Sequence, residues 1–243
     1  YLSEQIGIEQ SETSSPAPIL PIQAGNDEIF PVAQSQKRLW LLNELEGGNN
    51  TYNVKRVFHL EGCFEHDCFS KALSYLIARH EILRTSFTFK NEGIYQKIYR
   101  NPQIHDLLTF MNLEGEGDPI AKAKEIISKD IEEPFDLAFW PLMRIKVISI
   151  GGDNHIVSLV KHHIISDGWS MEVFANELVE LYNQAIHSKP LFLEQLPFQF
   201  KAFAKWQNER FNDGLYAENE KYWLKRFSNI PEPLVLPYDK PRF

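Results

Sequence analysis

The stretch from Leu142 to His163 constrains this chain most. Leu142 to Ser149 and His155 to His163 are two runs rich in apolar and β-branched residues, separated by Gly151-Gly152-Asp153-Asn154. Such loop residues tolerate the backbone of a tight turn, so the pattern predicts a β-hairpin. The second strand runs straight into His162-His163, followed by Ile164-Ile165-Ser166-Asp167-Gly168. Beyond it Ser170 is a plausible N-cap for a helix through Ile186, with Val173, Phe174, Leu178, Leu181 and Tyr182 on its buried side. Two imidazoles therefore fall where a strand hands over to a helix, and loops held by rigid elements often carry catalytic groups.

The flanking sequence supplies the rest of the fold class. Val32 to Leu45 has helical spacing closed by Gly47-Gly48, and Val54 to Leu60 suits a strand. Phe64 to Arg79 places Phe69, Ala72, Leu73, Leu76 and Ile77 on one helical stripe. Thr85 to Phe89 and Ile94 to Tyr99 read as a second hairpin, and Ile120 to Ile131 as a helix ending before Pro134. Two more amphipathic helices are expected near 198–211 and 215–227, with Phe198, Phe200, Phe203, Trp206, Phe211, Tyr222, Trp223 and Phe227 read as core. Strands joined by hairpins and interspersed with helices predict an α+β fold: a mixed, largely hairpin-connected β-sheet packed with helices.

Residues 9–28 are rich in Ser, Pro, Gln and Glu and read as a linker, and the four prolines of Ile230 to Phe243 predict an extended tail. The chain begins Tyr1-Leu2-Ser3 rather than with Met, as expected of a piece of something longer. The domain expectation is an upstream tail and linker over 1–29, a folded lobe over 30–229 and a connector over 230–243. The formal charge of −8 argues against a general nucleic-acid binder. Cys63 and Cys68 show no zinc-type spacing, and free thiols in a reducing cytoplasm are the simple reading.

An imidazole suits acyl transfer because its unperturbed pKa lies near neutrality, so it can take and return a proton. Successive strand residues face opposite ways, so His162 and His163 should diverge, one toward a cleft and one inward. Asp167 could fix the loop by pairing with a basic group, and Gly168 permits a positive φ or close approach of a substrate. Metal ligation by His162, His163 and Asp167 is disfavoured, because adjacent strand histidines diverge and no further ligand stands at metal spacing.

His162 to Gly168 reads HHxxxDG and resembles the signature of nonribosomal peptide synthetase condensation domains, whose fold is shared with chloramphenicol acetyltransferase. Ala33 to Leu42 is similar to the first core motif of that family, and Arg79-His80-Glu81-Ile82-Leu83-Arg84-Thr85-Ser86-Phe87 to the second. Phe135-Asp136-Leu137 with Pro141 to Arg144, and Leu236 to Arg242, extend the likeness in the same order. The resemblance implies a chloramphenicol acetyltransferase-like N-terminal lobe with His163 as the catalytic residue. His162, Asp167, Gly168, Arg84 and Arg79 would support the site, Asp167 pairing most readily with Arg84. It implies amide formation between an upstream carrier-bound thioester and the amino group of a downstream carrier-bound aminoacyl thioester. Both would be delivered on phosphopantetheine arms, with no intrinsic cofactor and no metal. Implied partners are upstream and downstream peptidyl carrier domains, a C-terminal lobe and an adenylation domain, with no nucleic acid or membrane. The first motif looks more like that of domains accepting a donor of L configuration. A non-catalytic carrier-binding module and a CoA-dependent acyltransferase are the competing readings.

Overall fold

A computed structural model describes residues 18–22 and 29–230, together with 232, 234 and 237. Seven strands and six helices follow one another as β1 (Ile29–Pro31), α1 (Gln34–Leu45), β2 (Asn53–Glu61), α2 (His66–Arg79), β3 (Thr85–Lys90), β4 (Gly93–Ile98), β5 (Leu108–Asn112), α3 (Pro119–Glu132), β6 (Met143–Gly151), β7 (Asn154–His162), α4 (Gly168–Ile186), α5 (Phe200–Asn212) and α6 (Ala217–Arg226). The predicted hairpins form over nearly the expected residues. At the turn between β6 and β7, Gly151, Gly152 and Asp153 all have positive φ, which is why glycine is needed there.

The strands divide into two sheets rather than one. The smaller has the order β1-β4-β3, and the larger, β2-β7-β6-β5, holds the histidine pair. In the larger sheet β7 lies between β2 and β6, antiparallel to both, with Asn53 opposite His162 and Met143 opposite Lys161. β5 runs parallel to β6, joined to it through α3. The sequence reading missed this strand, because Leu108 to Asn112 has no turn residue immediately before it. The predicted linker falls outside the described residues except at 18–22, and the tail is described only in part.

Both faces of the larger sheet are covered. α2 and α4 pack together on one side, where Leu73, Leu76 and Leu181 meet Met143, Ile145 and Leu159 in the main core. The stripe predicted for α2 is the one buried, as a 3.6-residue period requires. α3 covers the other side through Ala123 and Ile127 against Ile148. It starts at Asp118, whose side chain accepts the Ala121 amide at 2.9 Å, with Pro119 in the first turn.

The aromatic helices depart from expectation. Phe211, Tyr222, Trp223 and Phe227 are between 54% and 60% exposed, so the end of α5 and the whole of α6 leave on the surface rings expected in the core. Periodicity identified the apolar stripe of α6 but not whether a partner covers it.

On the α3 side of the sheet, the Asp130 carboxylate of α3 is almost wholly buried and pairs with Lys146 and Arg144 of β6, the latter at 3.1 Å. Arg144 also stacks over Phe135 at 3.8 Å and donates to the carbonyls of Asp130 and Glu133. Removing one member of such a cluster leaves buried charge uncompensated. Asp130→Ala is expected to lower unfolding stability by about 3 kcal/mol in chemical denaturation, whereas Leu45→Ala, at an exposed position, should stay within about 0.5 kcal/mol of the parent.

Candidate active site

The site is built at the end of β7. The His162 amide donates to the Leu142 carbonyl at 3.0 Å, and the His163 amide donates to the Tyr52 carbonyl at 2.8 Å. These two bonds hold the chain between β6 and β2 up to the last strand residue, after which His163 to Ile165 close into a short 3-10 turn. The strand's alternation then decides the side chains.

His162 is completely buried and His163 is exposed. The His162 ring lies edge-on to Phe135, with centroids 6.4 Å apart, and 6.2 Å from Tyr52. Its Nδ1 accepts the Ile164 amide at 3.1 Å, which puts the ring proton on Nε2. Burial, reinforced by neighbouring His163, pushes the His162 imidazole down to about 4. At neutral pH it is an uncharged packing group that shapes the turn. The His163 imidazole is exposed at the end of the strand and makes no side-chain hydrogen bond among the described residues.

Asp167 does not take the partner expected of it. It is the N-cap of α4: its carboxylate accepts the Ser170 amide at 2.8 Å, and its own amide donates to the Ser170 hydroxyl at 2.7 Å. The helix therefore begins three residues earlier than predicted, with Asp167 rather than Ser170 as cap. The Ser170 amide hydrogen bond, with smaller help from that hydroxyl and from His163, holds the Asp167 carboxyl below its ordinary value.

Among the described residues no ion pair joins Asp167 to Arg84. Arg84 donates instead to the Tyr99 carbonyl and lies 3.8 Å from Glu81, within its own 3-10 turn Glu81–Arg84. Local groups engage both residues: a helix N-terminus for the acid, a carbonyl and a near carboxylate for the guanidinium, whose Nε is buried without a hydrogen-bond partner among the described residues. Arg79 is likewise engaged elsewhere, meeting Glu177 of α4 at 3.4 Å, where His80 also converges at 2.6 Å. Lys201 of α5 reaches Glu81 at 2.9 Å. The segment Arg79 to Arg84 thus clasps α2 to α4 and α5, and supports the loop at one remove.

Gly168 opens α4 without a positive φ, so that reason for a glycine does not apply. A Cβ built there meets nothing within 4 Å. Whatever a side chain at 168 would obstruct, it is not this lobe's own packing.

Sequence reasoning missed several supports. Gln36, 2% exposed, accepts the Ala33 amide at 3.0 Å and donates to the Ile164 carbonyl at 3.3 Å, tying α1 to the histidine loop. Phe135 and Tyr52 hold the His162 ring. A buried polar residue inside an amphipathic helix was the available signal for Gln36.

Because the unfolded imidazole titrates near 6.5 and the folded one near 4, His162 stabilises the fold fully above pH 6.5. That contribution declines as pH falls toward 4, by up to about 3 kcal/mol. His155 is shifted in the same direction, chiefly by burial, so the comparison must be with a variant. His162→Asn keeps an acceptor for the Ile164 amide and cannot titrate. Its unfolding free energy should lack His162's share of the decline between pH 6.5 and 4, as denaturant titrations at each pH will show.

Comparison with known proteins identifies the family of the chain. The family model described as Condensation domain matches residues 26–243. Tyrocidine synthase 3 of Brevibacillus parabrevis is 37% identical over 235 residues, which cover 97% of this chain and 3% of that protein. A chondramide synthase of Chondromyces crocatus is 35% identical over 241 residues, covering 96% of this chain and 6% of that protein. Among solved structures, the starter condensation domain of rhizomide synthetase superposes with a TM-score of 0.77 at 22% identity, over 85% of this chain and 50% of that one. The first condensation domain of the CDA synthetase gives 0.74 at 23% identity, over 86% and 52%. The chain thus spans a few per cent of these synthetases and about half of each solved domain. Its match along nearly the whole described lobe shows that it belongs to the condensation-domain family of nonribosomal peptide synthetases.

Proposed function

We propose that this chain is the histidine-bearing lobe of a condensation domain that joins an upstream carrier-bound acyl or peptidyl thioester to the α-amino group of a downstream carrier-bound aminoacyl thioester. The amine nitrogen attacks the thioester carbonyl, a tetrahedral intermediate forms, the carbon–sulfur bond breaks, and the departing thiol carries away the proton lost by nitrogen. The observation that carries the reading is the divergence of the histidine pair, with His163 exposed at a strand end and His162 buried beneath it.

His163 is the catalytic residue in this proposal. An α-amino group with a pKa of about 8 is partly neutral at physiological pH, so His163 serves chiefly to orient the amine and stabilise the intermediate, or to accept its proton. Asp167 and Gly168 act by shaping and clearing the first turn of α4; His162, Arg79 and Arg84 are supports. The open space around Gly168 favours a substrate passing there. Both substrates arrive on phosphopantetheine arms of carrier domains, and a second lobe completes the tunnel, in keeping with the half coverage of solved domains. The lobe is placed at 30–229, between a linker over 1–29 and a connector over 230–243. Among the described residues no helix is long and apolar enough to cross a membrane; we place the domain in the cytoplasm with the adenylation domain of its synthetase.

The test is amide formation by the two-lobed domain with loaded carriers. His163→Ala should reduce turnover at least about 100-fold with the fold intact; near-parental turnover would remove His163 from the chemistry. Gly168→Val should leave stability within about 1 kcal/mol yet impair turnover, and unimpaired turnover would place the substrate path elsewhere. The 243-residue chain alone should form no amide.

A further inference from the structure

Lys161 precedes the histidine pair and plays no part in the chemistry above. Strand alternation turns it away from His162, toward the face covered by α2 and α4. It is 1% exposed, and its side chain makes no hydrogen bond or ion pair among the described residues. Its recorded contact is the Phe174 ring, whose centroid lies 3.4 Å from Nζ. Burial of a lone ammonium is costly, and here it pushes the amine down to about 7.

The residue lines a cavity of about 60 Å³ between the end of α2 and the first turns of α4. Its polar lining is Lys161, His80, Ser166 and Ser170, and no carboxylate lines it. Three nearby acids are turned to other partners, Asp167 to the start of α4, Glu177 to Arg79 and His80, and Glu81 to Lys201 and Arg84, while Glu172 of α4 is exposed. The first turn of α4, capped by Asp167, lies beside the cavity. The Ser166 and Ser170 hydroxyls stand 3.2 Å apart at its wall. A buried amine with no carboxylate partner among the described residues thus faces a small hollow lined by two serine hydroxyls.

We propose that this cavity binds a small monovalent anion of halide size. A water needs only about 10–15 Å³ of such space, so a hollow of about 60 Å³ has room for a chloride and accompanying water. The anion neutralises Lys161 and accepts from the Ser166 hydroxyl. It would join β7 to residues on both sides of Asp167, and so steady the turn that presents His163.

The test compares thermal unfolding of the full chain in sodium chloride and sodium gluconate at equal ionic strength, with bromide located by anomalous diffraction in crystals. Chloride should raise the unfolding midpoint saturably, and bromide should appear beside the Lys161 amine. Lys161→Met should abolish the saturable rise. Ser166→Ala should weaken the apparent affinity about tenfold, the loss of one hydrogen bond to a charged group, and it decides the matter if the Lys161 variant does not fold. Equal midpoints in the two salts, an unchanged chloride response in Lys161→Met, or a cavity holding water only would overturn the site. None of these outcomes depends on the acyl-transfer reading.

Discussion

Two main-chain hydrogen bonds, from His162 to the Leu142 carbonyl and from His163 to the Tyr52 carbonyl, govern the arrangement of this lobe's site. They carry the sheet ladder to the last residue of β7, so that the pleat alone assigns the two imidazoles to opposite environments. A one-residue slip of β7 would bury His163 and expose His162. The β2–β7–β6 register and the helices on either face all favour the observed pairing, because Leu159 and Lys161 must face α2 and α4 while Ile156 faces α3. The histidine pair is thereby positioned by the least specific interaction in the protein, the backbone hydrogen bond.

The polar residues around the loop divide their work locally. Asp167 caps α4, Arg84 closes its own turn onto Tyr99, and Glu177 gathers Arg79 and His80. Each charge finds its partner within a turn or across one helix contact, and none needs to reach through the loop. The His163 imidazole is left without a side-chain hydrogen bond among the described residues, as the role proposed for it requires. His162 is held neutral by burial and by the Ile164 amide.

Much of this was legible in the sequence. Period and turn chemistry located both hairpins and every helix, because Gly151-Gly152-Asp153-Asn154 and the α2 stripe are local signals that agree with the global fold. The divergence of the histidines followed from their adjacency in a strand. What was not legible depended on distant partners. β5 pairs in parallel with β6 across α3, and no local pattern announces such a pairing. The sequence shows Asp167 with arginines available and a helix start nearby; which of them it takes depends on distances that exist only once the loop is folded. Gln36 and Lys161, polar residues buried by tertiary packing, were hidden for the same reason. The rings of α6 erred in the other direction, since an apolar stripe does not reveal whether anything in the same lobe covers it.

The central claim is that His163 is presented and His162 is concealed. Acylation of imidazoles by diethylpyrocarbonate, mapped by mass spectrometry over time on the folded chain, tests it directly. The account predicts rapid modification of His163 while His162 stays protected until the protein unfolds. Equal rates at the two residues, or faster modification of His162, would contradict it.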